Sequence, residues 1–206
     1  MTGLVVDRDT PALGETATAT FGPAQPCRRH PDGPTTACAA CHPYRYSLTR
    51  TWNEAVVDAT FLMLNPSTAD ALVLDPTVRR CLGYAQDWGC GGLRVLNLFA
   101  LRSTDPRALH KHPDPIGPDN DELLADYFAH RAATAGHLCQ GPVIAAWGAH
   151  GTHLARAADV IDLAHQHGVQ LHALATTRAG HPGHPLYLPR AAQPAPYEPP
   201  APAAAA

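Results

Sequence analysis

From residue 59 to residue 176 the chain alternates short apolar runs with stretches of helical period, and that alternation admits few folds. ATFLML (59–64), LRVLNLFA (93–100), PVIAAW (142–147) and VQLHALAT (169–176) are strand-length and almost free of charge. Between the first two, DPTVRRCLGYAQDWG (75–89) sets Val78, Cys81, Leu82, Ala85 and Trp88 at helical spacing. Asp75 stands there as an N-cap and Pro76 as the first helical residue. PDNDELLADYFAHRAA (118–133) opens with the capping-box spacing Asp119 to Glu122, and GAHGTHLARAADVIDLAHQHG (148–168) ends on a helix-stopping glycine. Strands buried on both faces read as continuous apolar runs. The expectation is therefore α/β: a three-layer α/β/α domain around a four-stranded, mainly parallel sheet.

The flanks are simpler. Residues 1–22 show no clear period and suggest a flexible leader; 23–43 are rich in Cys and His; 44–190 carry the α/β pattern. Residues 191–206, AAQPAPYEPPAPAAAA, suggest a disordered Pro/Ala tail. No apolar run is long enough for a bilayer, and the start lacks the basic-then-apolar pattern of a signal peptide, so a cytoplasmic protein away from membranes is expected. The formal net charge of −3 argues against gripping long duplex by charge alone. A local patch from Arg79, Arg80, Arg102 and Arg107 remains open.

In a parallel sheet, ligands bind beyond the carboxyl ends of the strands. Polar residues gather there. Asn65, Pro66, Ser67, Thr68 and Asp70 follow the first run, with Asp75 shortly after. The proline stiffens the turn, and the Asn65 carboxamide can hold a water or meet a ligand's hydrogen-bonding edge. The same residues also make an ordinary turn and helix cap. Asn97 sits in an apolar strand, where an amide is costly unless paired, so it makes a structural bond or faces a ligand. Trp147 and Gly148 end the third run. His181-Pro182 and His184-Pro185 form a stiff loop after the fourth; either histidine can donate to an oxyanion, act as acid or base, or bind metal, and the plain alternative is a chain simply rich in His and Pro. Arg45, Arg50 and Trp52, ahead of the first run, either meet phosphate and base or seal a sheet edge.

Cys27-x2-His30-x7-Cys38-x2-Cys41 gives two close pairs joined by a short loop, a spacing that suits a tetrahedral structural zinc. Free thiols are the plain alternative. An iron–sulfur cluster would need Cys81 or Cys90 as a fourth thiolate.

Over about residues 44–189, R-Y-S-L-T-R-x-W, M-L-N-P-S-T-A-D, D-P-T, N-L-F-A-x-R, A-W-G and H-P-x-H-P-L-Y-L resemble a bacterial and phage family catalogued as a domain of unknown function. More distantly, the order Asn65-Pro66, Asn97, Ala146-Trp147-Gly148 and a His-Pro pair is similar to the uracil-DNA glycosylase superfamily. That resemblance implies a glycosylase-like fold and hydrolysis of a nucleobase N-glycosidic bond. Asn65 would orient the water, Asn97 would bond the base edge, and His181 or His184 would donate to the departing base. Departures are visible: no Gly follows Asn65-Pro66, and Trp88, Phe99 and Trp147 compete as the stacking aromatic. The loop that wedges into duplex DNA is absent in recognisable form. A nucleobase-containing small molecule or a single-stranded nucleic acid is the expected partner. Two other readings fit: a pocket that binds a nucleotide or modified base without cleaving it, and a zinc-stabilised adaptor.

Overall fold

The computed structural model describes residues 4–9, 15–67, 74–135 and 140–200. Eight strands form one mixed sheet: β1 Val5–Asp9, β2 Thr16–Phe21, β3 Arg45–Thr51, β4 Asp58–Met63, β5 Gly92–Asn97, β6 Val143–Ala145, β7 Leu171–Ala173 and β8 Ala195–Pro196. Their order is β1-β2-β3-β5-β4-β6-β7-β8. The helices are α1 Pro76–Asp87, α2 Asn120–Thr134 and α3 Arg156–Gln166.

This corrects the expected four-stranded, mainly parallel, glycosylase-like sheet. β4, β5, β6 and β7 are the four apolar runs and pair in parallel. β1, β2 and β3 extend the sheet antiparallel on one side, and β8 adds antiparallel on the other. The additional strands lack an apolar stripe. TATATF in β2 alternates half-buried Thr with buried Ala and Phe21, a two-residue period carried by side chains too small to stand out. It lies within the stretch expected to be a loose leader. β3 buries Arg45 and Arg50, which disguise it as a surface strand. β8 lies among the prolines of the expected tail, and Tyr197 beside it is buried against Trp147, with ring centroids 6.0 Å apart.

Alternation along the parallel strands splits the core in two. Leu62, Leu96, Leu98 and Val143 face Leu124 and Phe128 of α2 and Val160 of α3. Phe61, Met63, Val95 and Ile144 face Val78, Cys81 and Tyr84 of α1. Each such large side chain stabilises the fold by roughly 1.5–3 kcal/mol through burial.

Asp75 caps α1 as its spacing predicts, its Oδ1 accepting from the Val78 N–H at 2.8 Å. The capping box of α2 does not form. The Asp119 side chain makes no cap bond and instead accepts from the Tyr46 hydroxyl at 3.1 Å. The third helix starts at Arg156 rather than 148. Ala149–Ala155 are 3₁₀ turns, and Leu154 and Ala155 have left-handed φ of 54° and 56°. Gly151 lies so close to the Trp147 ring that any Cβ there would collide with it. Gly168, at φ +65°, ends α3 as predicted. Among the described residues no helix is long and apolar enough to cross a membrane.

In the parallel block, chain connections run from β4 outward to β5 and then back across to β6 on the opposite side of β4. That reversal opens a crevice at the carboxyl ends of β4 and β6.

Candidate functional site

A cavity of about 470 Å³ occupies that crevice. Asn65, Ser67, Asp75, Asn97, Trp147, Gly148 and His184 line it, so strand ends far apart in sequence meet in one place. Its size suits a small-molecule ligand. Pro66 is buried behind the wall and is not part of it. Thr68 and Asp70 lie outside the described residues. His181 is not in the wall. Its backbone N–H donates to the Thr177 hydroxyl at 3.1 Å and its carbonyl accepts from the Thr177 N–H at 2.7 Å, closing a turn.

Asn65 is held by its own amide. Nδ2 donates to the carbonyls of Ser103 at 2.8 Å, Pro66 at 3.1 Å and Leu101 at 3.3 Å. The Ser103 N–H returns a bond to the Pro66 carbonyl at 2.9 Å. With nitrogen engaged and orientation fixed, the carboxamide oxygen is the atom Asn65 can offer a ligand.

Asn97 differs. Its side chain is 1% exposed, yet its Nδ2 has no hydrogen-bond partner among the described residues. Its backbone carbonyl is engaged, accepting from the Asn120 Nδ2 at 3.2 Å. Leaving a buried donor unpaired costs about 1–3 kcal/mol, and this one stands on the cavity wall, where it can donate to an acceptor.

His184 caps the Pro185–Tyr187 turn, its Nδ1 accepting from the Leu186 N–H at 3.4 Å. That acceptance places the ring proton on Nε2. Burial pushes the His184 pKa down, and the nearby Asp75 carboxylate opposes this. The ring is a neutral donor at neutral pH.

Arg45, Thr77, Ser103, Thr104 and His150 add to the polar lining. Ser103 and Thr104 follow β5 just as Ser67 follows β4, so the rule that picked out Asn65 would also have found them. Of the three candidate aromatics only Trp147 reaches the cavity. Trp88 stacks on Phe61 with centroids 5.9 Å apart, and Phe99 is in the opposite core. Trp52, just past the end of β3, donates its Nε1–H to the Cys90 carbonyl ahead of β5 at 2.9 Å.

A second cluster gathers Cys27, His30, Cys38 and Cys41, their ligand atoms all within 4.8 Å of one another. Cys27 Sγ stands 3.9 Å from Cys38 Sγ and 3.9 Å from His30 Nδ1, and Cys41 Sγ stands 3.4 Å from that nitrogen. Bonds of about 2.3 Å to sulfur and 2.0 Å to nitrogen put tetrahedral ligands roughly 3.5–3.8 Å apart. The four residues are already spaced to hold a metal ion. Burial raises the Cys38 thiol, but the backbone N–H groups of Cys41 and Ala40 and the neighbouring thiols outweigh it and bring the pKa to about 6. Burial pushes Cys41 up. His42 is not a ligand: its Nδ1 pairs with the Gly22 carbonyl at 2.9 Å, and its ring lies against Phe21. Cys81 and Cys90 stay in the α1-side core and do not join the cluster.

No curated protein and no solved structure matches the chain. Residues 45–186, more than two thirds of it, match the family described as "Protein of unknown function (DUF1643)". The matched span contains every cavity-lining residue named above and begins after the Cys/His cluster. By its cavity-bearing α/β body, the chain belongs to this family of proteins of unknown function.

Proposed function

We propose that the cavity is the active site of a glycosylase-like hydrolase that cleaves the N-glycosidic bond of a nucleobase, in a nucleotide or a single strand. The unpartnered Asn97 amide carries this reading: a buried carboxamide supplies a donor and an acceptor to a base edge. His184 donates from Nε2 to the base as it leaves with the bonding electron pair. Asn65 holds a water through its fixed oxygen. That water adds to the sugar carbon and releases a proton to solvent. The negative charge developing on the base meets a donor oriented beforehand. The order of these groups along the chain, similar to that in the uracil-DNA glycosylase superfamily, adds support.

The Cys/His cluster holds a structural zinc in this proposal. Three thiolates and an imidazole suit zinc, and four protein ligands close the shell to substrate.

One observation favours a second reading, binding without cleavage. The Asn65 nitrogen makes three bonds to backbone, so this residue has a structural role whatever the chemistry.

The test is base release followed by mass spectrometry. Nucleosides, nucleotides and uracil- or modified-base oligonucleotides are incubated with wild type, His184→Ala and Asn97→Ala. Free base from wild type that falls at least about a hundredfold in both variants supports cleavage. Saturable binding lost in Asn97→Ala, with no base from any substrate, moves the conclusion to a binding module.

A further inference from the structure

We infer that Arg102 is a positioning residue that couples the state of the Cys/His cluster to the cavity wall. The inference rests on the metal reading of that cluster and concerns residues outside its ligand shell.

The route is continuous. Arg102 is 6% exposed. Its Nη1 donates to the Thr36 carbonyl at 2.7 Å, inside the loop between the two ligand pairs, and to the His42 carbonyl at 3.2 Å, just after Cys41. Its guanidinium lies 5.1 Å over the Phe21 ring. The backbone repeats the connection. The Arg102 N–H donates to the Pro43 carbonyl at 2.8 Å, the Arg45 N–H to the Ala100 carbonyl at 2.9 Å, and Tyr44 bridges Leu101. The next residue, Ser103, lines the cavity and accepts from the Asn65 amide. Residues 100–103 are therefore clasped on one side by the segment leaving the cluster and on the other by the Asn65-Pro66 turn.

A buried guanidinium needs its acceptors in place. The Thr36 and His42 carbonyls sit where they do because the loop between the ligand pairs is folded. Bound metal fixes that loop, and so fixes Arg102, Ser103 and the angle at which Asn65 faces the cavity. Metal loss would loosen a wall that contributes no metal ligand.

Hydrogen exchange read by mass spectrometry tests this without a ligand for the cavity. Wild type and Arg102→Ala are compared with zinc bound, its stoichiometry measured, and after chelation. In wild type, chelation is expected to speed exchange in residues 24–43 and also, by roughly tenfold, in 100–106, where the Ser103 N–H is bonded to Pro66. Residues 143–146 and 171–173 stay protected and report an intact sheet. In Arg102→Ala, 100–106 should be fast from the outset and respond to chelation within about twofold, since coupled sites are not additive. An arginine that merely stabilised the fold would leave the metal response unchanged, and that result overturns the inference. So does a wild-type response confined to 24–43. Arg102→Lys, which keeps the charge without the planar fork, is the milder variant should Arg102→Ala not fold. A chain that takes up no zinc overturns the metal reading and this inference with it; base release from the cavity is measured separately.

Discussion

The Asn65 side-chain amide donates to the Ser103 carbonyl at 2.8 Å, tying the end of β4 to the residues beyond β5. Asn65→Asp puts a carboxylate oxygen against carbonyls that now receive an N–H. The expected loss is about 2–3 kcal/mol of unfolding free energy at pH 7, against about 1–2 for Asn65→Ala, which only removes the bonds. Urea denaturation of both variants measures the difference. Equal losses would mean that the amide nitrogen does not face those carbonyls.

Asn97→Leu has the opposite signature. Its Nδ2 has no partner among the described residues, so an apolar side chain of similar size is expected to hold stability within about 1 kcal/mol of wild type or raise it. Ligand binding at the cavity should be lost. A fall of more than about 2 kcal/mol in denaturant unfolding would show the carboxamide to be satisfied already.

His184 gives a pH dependence with a definite sign. Burial lowers its folded pKa below the ordinary 6.5, so the unfolded chain binds the proton first as pH falls. Its contribution is complete at pH 7 and above. It is lost progressively as pH drops through 6.5 toward the lowered folded value. His184→Asn should flatten the stability–pH curve between pH 7 and 5. A variant curve parallel to wild type would remove His184 as a contributor.

The cluster separates ligand from neighbour. Cys41→Ala should abolish stoichiometric zinc, whereas His42→Ala should keep it, because the His42 ring is paired to Gly22. Zinc content by elemental analysis decides this. Chelation of wild type should lower the melting midpoint by roughly 2–4 °C for each kcal/mol lost. Loss of zinc in His42→Ala would put the wrong residue in the shell.

How much of this was legible follows from what side chains reveal. β4 to β7 stand out because both faces are covered, which demands unbroken apolar runs. The α1 cap was visible because Asp75-Pro76 is a local signal. β2 was not, because Ala17 and Ala19 bury fully while carrying almost no apolar surface. The rule that ligands gather at strand ends pointed to Asn65, Ser67, Asp75, Asn97, Trp147, Gly148 and His184 on the cavity wall, while Ser103, Thr104 and His150 were passed over. It could not separate His184 from His181, since only tertiary packing decides which histidine of one loop turns inward. The Cys/His cluster was legible from spacing alone; the clasp through Arg102 joins residues 66 positions apart and has no local signal.

The sheet finishes at β8, two residues long and ending in Pro196. Four parallel strands rich in Leu, Ile and Val are a ready template for a passing chain. A ribbon of antiparallel strands covers one flank. On the other, a short strand whose proline has no N–H presents no row of free donors. The proline-rich segment that looked least like structure covers the β7 edge, where a strand of another molecule would otherwise find free backbone partners.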